Sequence, residues 1–531
     1  MKHSTRSAVA FIVTFAALLL LIGTVSAGTP SAKSNASAAA AAAAITPIPT
    51  AAQTNLPDYV GAAVKARPLA PSKVPQNPFL APNPFNYVHN DSWASDVYDI
   101  PGPLGRDPLV QSTTLAEARR NPNGPVFGCS GDVFDSQGRL ILSCTGPGEW
   151  SLVMVDPYTL EVLTYIYLPF PTDQGSSWST AYLYLDNNDR VIMPVVDGNQ
   201  VKITVVQTVE SAGKPQFEFV GSGYDITSYV APGDNINGLM ADWQGRIWFV
   251  VRQAATVGVL DPATGAVKTL ALEGSITNGF SMDRDAAYIV TTAKMYRVEV
   301  DPDGGPHKVW EEGYQNVGYK KPGQLSAGSG TTPTVLGGGR YIAITDNADQ
   351  LHVVVFRTDA QLPPGKERIV CEVPVFKAGA GADENSLIGS GLSLIAYNAF
   401  GNDFDKLFGP PPRPQKNQPG MARVDIDGNH CRLVWENEGI TVTDEVHKLS
   451  TRTGLIYAIG RKWDPTVKYP NGDDLDVYYF TAVDFRTGKV VWEKQLGNGF
   501  NYDGFENVLI GPTGIAYISQ YGGLISIKDT K

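Results

Sequence analysis

Phe134-Asp135-Ser136-Gln137-Gly138-Arg139-Leu140-Ile141 reads as a polar turn feeding a strand, and it decides the fold because it returns. Copies stand at Leu185-Asp186-Asn187-Asn188-Asp189-Arg190-Val191-Ile192 and Ala241-Asp242-Trp243-Gln244-Gly245-Arg246-Ile247-Trp248, with looser ones from Met282, Ser450 and Ile510. A second phrase alternates with the first, as Val155-Asp156-Pro157-Tyr158-Thr159-Leu160-Glu161-Val162. It recurs as Leu260-Asp261-Pro262-Ala263-Thr264-Gly265, Val300-Asp301-Pro302-Asp303-Gly304, Val424-Asp425-Ile426-Asp427-Gly428 and Val483-Asp484-Phe485-Arg486-Thr487-Gly488.

In both phrases an Asp after an apolar run caps a turn through its carboxylate, and Gly or Asn supplies the positive φ. The apolar residues on either side then pair as antiparallel strands. The first phrase joins strands one and two of a unit, and the second joins strands three and four. Four strands in a unit of about 40 to 60 residues are the mark of a β-propeller blade. The fold class is therefore all-β, a single propeller of about eight blades, with seven as the alternative. The units begin near Asp132, Ala181, Asn237, Asn278, Thr332, Ser390, Asp444 and Glu506. The last has only about three strands before Lys531, so residues 86–125 are expected to supply the fourth and close the ring. The propeller domain then spans 86–531.

The composition agrees. Of 531 residues 54 are Gly, 38 are Pro and only 18% are charged, which suits many turns and few amphipathic helices. The net charge of -11 repels polyanions, so nucleic acid is not an expected partner.

The first 27 residues have the pattern of a secretory signal peptide: basic Lys2 and Arg6, an apolar run from Ala8 to Ile22, and small residues at Val25-Ser26-Ala27. The run is short for a membrane span, so the mature chain is expected to carry none and to be secreted or periplasmic; an uncleaved anchor is the alternative. Residues 28–85 hold an alanine tract and then Pro47, Pro49, Pro57, Pro68, Pro71, Pro75, Pro78, Pro82 and Pro84. Such a stretch buries little apolar surface by itself and reads as a disordered tether. An even count of cysteines in an exported chain favours disulfides. Cys129 and Cys144 flank one hairpin and make the first pairing, while Cys371 and Cys431 occupy comparable outer strands of neighbouring units.

Two resemblances follow. Val483-Asp484-Phe485-Arg486-Thr487-Gly488-Lys489-Val490-Val491-Trp492 resembles the blade motif of quinoprotein-type propellers. Asn237-Gly238-Leu239 and Asn278-Gly279-Phe280-Ser281-Met282-Asp283 resemble the Asn-Gly blade starts of the SMP-30/gluconolactonase family.

The residue before each innermost strand should sit at the rim of the central channel. Those positions are polar: Asp132, Asn237, Asn278, Thr332, Ser390, Asp444 with Glu445, and Asp503 with Glu506. Oxygen ligands converging on one axis suit a hard cation such as Ca²⁺. The gluconolactonase resemblance implies Asn237 and Asn278 as two ligands, and Asp132 and Asp444 are the carboxylate candidates. Asn and Asp at such positions also cap their own turns. Glu445 and His447 lie two residues apart and form a candidate general-base pair. His89, in Val88-His89-Asn90-Asp91-Ser92-Trp93, would line a pocket if that segment crosses one face of the ring. There is no CxxC zinc spacing, no phosphate loop and no GxSxG elbow.

Three functions fit this sequence. The first is a monomeric exported propeller that binds a small molecule or a protein partner at its channel face. The second is a Ca²⁺-dependent lactonase or esterase. The third, a dehydrogenase carrying the quinone cofactor PQQ, lacks the adjacent cysteine pair found in the large quinoprotein alcohol dehydrogenases.

Overall fold

The computed structural model describes residues 45–531 except 123, 125–126, 171–181, 403–416 and 505–506. The proposed signal, the alanine tract, Ala181 and Glu506 lie outside the described residues. No helix among the described residues is long and apolar enough to cross a membrane.

The first phrase builds the same turn three times. The Asp135 Oδ1 accepts the amides of Gln137 and Arg139 at 3.0 and 2.9 Å, and its Oδ2 accepts Arg139 Nε at 2.6 Å. Asp186 with Arg190 and Asp242 with Arg246 repeat this arrangement. The fourth residue of each turn needs a positive φ, met by Gly138, Asp189 and Gly245 at 76°, 57° and 82°. The second phrase caps likewise, as where Asp484 takes the amides of Arg486 and Thr487.

These hairpins assemble into eight blades. The innermost strands are Gly128–Phe134, Tyr184–Leu185, Ile236–Ala241, Ser281–Met282, Thr334–Leu336, Ile388–Ser390, Lys448–Ser450 and Val508–Ile510, numbered here as blades 1 to 8. Eight, and not seven, is the blade number. Blade 8 takes its outermost strand from the N-terminal segment: Pro108–Thr113 pairs antiparallel with Gly523–Asp529. Apolar side chains of neighbouring blades interlock between the sheets, as where Leu336 and Val353 of blade 5 meet Leu394 and Val424 of blade 6.

In antiparallel blades the two Asp turns fall on one face of the ring, the turn face, and the remaining connections fall on the opposite, loop face. The segment from Phe85 to Tyr98 plugs the channel at its turn-face end. Its carbonyl oxygens accept the inner-strand amides of Phe134, Leu185, Met282, Val335, Gly389 and Leu449, so six blades bind it. Inner strands present unpaired amides to the axis, and the plug satisfies them.

The tether expectation needs correction for residues 45–85, which lie on the ring. Tyr59–Gly61 adds a strand to the outer edge of blade 7. The amides of Arg67 and Leu69 reach the carbonyls of Thr453 and Thr451, and Arg486 donates to the carbonyls of Arg67 and Pro68. Asn187 donates to the carbonyls of Pro78 and Phe79. Composition measures what a segment can bury against itself. Here the ring supplies the other surface, and a proline-rich strand loses little entropy on docking.

Cys129–Cys144 pairs as expected, across facing positions of one hairpin. Cys371–Cys431 joins the outer strands of blades 5 and 6.

Candidate functional site at the ring axis

The plug carries chemistry into the channel. Asp96, held at a φ of 56°, turns its carboxylate toward the axis. Lys448 Nζ lies 2.5 Å from its Oδ1 and donates to the Val88 carbonyl at 2.7 Å. Ser386 Oγ donates to the other Asp96 oxygen, and His89 Nδ1 lies 3.4 Å from it. Burial alone would raise the Asp96 carboxyl, but Lys448 and His89 outweigh it and hold that carboxyl below its usual range.

Above the plug, toward the loop face, two acidic pairs meet: Asp383-Glu384 ahead of blade 6 and Asp444-Glu445 ahead of blade 7. A short parallel ladder between Gly330–Thr332 and Glu384–Ser386 carries the first pair to the axis. Asn278 Nδ2 donates to Glu384 Oε1 at 3.2 Å, and the Leu325 amide donates to Glu384 Oε2 at 3.1 Å. Tyr397 donates to the Glu384 carbonyl and lies 3.1 Å from Asp444 Oδ1, which links the two pairs. Asn385 Nδ2 donates to the Asp444 carbonyl at 2.7 Å. Glu445 Oε1 accepts from Gln520 of blade 8 at 3.0 Å.

All four acids are essentially inaccessible to solvent. Burial, then the nearby Asp444 and Glu384, pushes the Asp383 carboxyl far up. Burial, then Glu384, does the same to Asp444. Burial pushes Glu384 and Glu445 each up to about 8. Several polar atoms have no hydrogen-bond partner: both oxygens of Asp383, Asp444 Oδ2, Glu445 Oε2 and both nitrogens of His447. The amides of Glu384 and Tyr397 lie near Asp383 without hydrogen-bonding alignment.

The structure brings some of the predicted residues together and keeps others apart. Asn278 joins the acidic pairs through Glu384. Asn237 lies beside Asn278, its amide donating to the Thr277 carbonyl, and its own Oδ1 is unpartnered. Asp132 is a buried strand residue of blade 1 that accepts from Ser519 of blade 8 at 2.7 Å; no hydrogen bond among the described residues joins it to Asn237, Asn278 or Asp444. Burial raises its carboxyl to about 7. Glu445 and His447 do not form a couple: Glu445 turns to Gln520, and His447 packs on Tyr397 with ring centroids 4.4 Å apart. Burial pushes the His447 imidazole down to about 3, too weak for a base at neutral pH. Ser390 ends an inner strand instead of preceding one, so it lies toward the plugged end.

Among the described residues no group of three or more His, Cys, Asp or Glu side chains is arranged to hold a metal ion. Of the four expected Ca²⁺ ligands, Asn237 and Asn278 donate through their amide nitrogens, Asp444 keeps one oxygen unpartnered, and Asp132 accepts from Ser519 with no hydrogen bond among the described residues to the other three. A quinone bearing carboxylates, as PQQ does, would face the acidic wall of Asp383, Glu384, Asp444 and Glu445.

Sequence reasoning missed Asp383, Glu384, Tyr397, Asp96 and Lys448. The acidic pair had a signal, because Asp383-Glu384 stands just before the blade 6 inner strand that begins at Ile388, much as Asp444-Glu445 stands just before the blade 7 strand that begins at Lys448. Asp96 and Lys448, separated by 352 residues, had none.

No family model matches this chain, and no curated protein matches its sequence. Solved structures share the architecture at low similarity. Virginiamycin B lyase from Staphylococcus aureus is 11% identical, covers 62% of this chain and 91% of its own, and has a TM-score of 0.35. The β-propeller domain of Cps50 (Swd1) from Myceliophteria thermophila is 9% identical, over 76% of this chain and 100% of its own, with a TM-score of 0.36. A putative 6-phosphogluconolactonase from Bacteroides uniformis is 12% identical, over 69% and 85%, with a TM-score of 0.34. At these values the likenesses carry no information on activity.

Proposed function

We propose that this chain is an exported binding propeller that takes a small-molecule ligand at its axis, from the loop face. The observation that carries the reading is the unmet hydrogen-bonding capacity above the plug. Both oxygens of Asp383 and both nitrogens of His447 are buried without partners, and buried polar groups are rarely left so. The N-terminal plug supports it further, since its hydrogen bonds to six inner strands close the turn-face end and leave the loop-face side of the acids for a ligand. Export is supported by the signal-like residues 1–27 and by two disulfides, which persist in oxidising compartments.

The test is a thermal-shift screen of a metabolite library on the full chain and on the Asn237→Ala/Asn278→Ala variant, with metal content measured in parallel. Compounds that stabilise the parent and lose their effect in the variant bind at the axis. A library without any such compound would reject the reading. A stoichiometric metal lost in the variant would replace it with the metal-dependent hydrolase.

A further inference from the structure

The two halves of the axis differ in charge balance. In the plugged half, Lys448 provides a fully buried ammonium that meets Asp96 and the Val88 carbonyl. In the loop-face half, Asp383, Glu384, Asp444 and Glu445 have no described Lys or Arg at ion-pair distance. The nearest buried guanidinium, Arg461, is held by Asp476 at 2.8 Å and Asp503 at 3.8 Å, while Arg252 and Lys320 act on Glu384 only at longer range.

Most of the unmet atoms there also share one polarity. They are Asp383 Oδ1 and Oδ2, Asp444 Oδ2, Glu445 Oε2, Asn237 Oδ1, Asn507 Oδ1 and Gln520 Oε1, and every one is an acceptor. The unmet donors beside them are His447, the Thr332 hydroxyl on the ladder of the first acidic pair, and Nε and Nη1 of Arg461, whose charge already faces Asp476 and Asp503. Asn507 belongs to the same region, bridging to Val446 between Glu445 and His447. A ligand that satisfies this wall must bring donors and positive charge. A single metal ion needs its oxygens gathered at about 2.3–2.6 Å, whereas these acceptors are spread over blades 3, 6, 7 and 8. A molecule with N–H groups at several points along its length spans that distribution.

We infer that the loop-face half of the axis binds an organic ammonium ligand with more than one N–H-bearing centre, of the polyamine class, which serves there as Lys448 serves below. The inference rests on the axial binding site proposed above and names its ligand class. Burial raises all four carboxyls and pushes Glu384 and Glu445 up to about 8, so their anionic forms lack compensation in the free protein, and an ammonium ligand would supply it.

The test is isothermal titration of the full chain with spermidine at pH 8 and low salt, against CaCl₂ and NaCl of equal ionic strength. Spermidine is expected to bind saturably. Asp383→Asn, Asp444→Asn and Glu445→Gln, measured separately, should each weaken it at least tenfold. The surface variant Glu117→Gln/Asp285→Asn, which removes the same kind of charge from exposed sites, should bind as the parent does. Each amide variant should also melt higher than the parent at pH 8 without ligand, a readout of the buried carboxyl that does not depend on binding. Spermidine heats that do not saturate, or that are equal in the axial and surface variants, would overturn the inference. So would saturable Ca²⁺ binding lost in the axial variants. Axial compounds from the screen that prove neutral or anionic would defeat the ligand class and leave the binding site standing; a screen without axial compounds would defeat both.

Discussion

The carboxylate of Asp96 and the ammonium of Lys448 meet at 2.5 Å, and neither side chain is exposed to solvent. Asp96 belongs to the N-terminal plug and Lys448 to the inner strand of blade 7, so one buried ion pair fastens the plug to the ring. Removing one partner of such a pair leaves an uncompensated charge and costs about 3–5 kcal/mol. Asp96→Asn is expected to lose stability on that scale in urea unfolding. Asp96→Asn/Lys448→Met should recover part of the loss. A single variant as stable as the parent would show that the pair contributes no fastening.

Closure of the ring depends on residues before blade 1. A chain starting at residue 114 lacks the outer strand of blade 8, the plug and the outer belt, and leaves inner-strand amides unpaired at the axis. We expect it to show no cooperative melting transition by circular dichroism. A synthetic peptide covering residues 86–113 should restore one when added in trans. Cooperative melting of the short chain alone would mean that the ring closes without its N-terminal strand.

The two disulfides constrain unequal loops, with cysteines 60 and 15 residues apart. By loop-closure entropy the Cys371–Cys431 bridge is worth up to about 4 kcal/mol and the Cys129–Cys144 bridge up to about 3. The Cys371→Ser/Cys431→Ser variant should therefore lose more stability to denaturant than Cys129→Ser/Cys144→Ser. The reverse order would place the larger effect in native-state packing of the blade 1 hairpin.

The buried acids set a pH dependence whose sign is fixed. Burial pushes Glu384 and Glu445 up to about 8, and Asp132 and Asp91 to about 7. In the unfolded chain such groups titrate near 4. A carboxyl raised on folding stabilises the fold fully below its unfolded value and loses that contribution as pH rises through its folded value. Asp96, held low by Lys448, and His447, pushed down to about 3, have the opposite slope, which is spent by about pH 6.5. The melting temperature of the free protein is therefore expected to fall between about pH 6.5 and 8.5, and to fall less steeply in Glu445→Gln. A melting temperature that climbs over this range would contradict the assignment.

One turn offers a local check. Asp242 accepts from the amides of Gln244 and Arg246, from Arg246 Nε and from the Trp248 indole. Asp242→Ala leaves those donors unmet, and we expect it to cost about 1–3 kcal/mol in chemical denaturation. A loss below half a kilocalorie per mole would show that water replaces the carboxylate.

What was legible in the sequence is what short-range chemistry controls. The Asp135, Asp186 and Asp242 turns are made by atoms within four residues, so each phrase carries its own structure wherever it sits. Repetition of those turns determined the blades, their order and the missing outer strand that Pro108–Thr113 supplies. The Cys129–Cys144 bridge followed because one hairpin holds both residues. Tertiary structure alone decided the rest. The proline-rich segment reads as a tether from sequence because the surface that orders it belongs to blades 2 and 7, 109 and 419 residues away in the chain. Ser390 was misplaced because a rim position depends on where a strand begins, and the strand there begins at Ile388. The meeting of Asp383-Glu384 with Asp444-Glu445, and of Asp96 with Lys448, comes from closing a ring, which places residues by angle around an axis and not by distance along the chain.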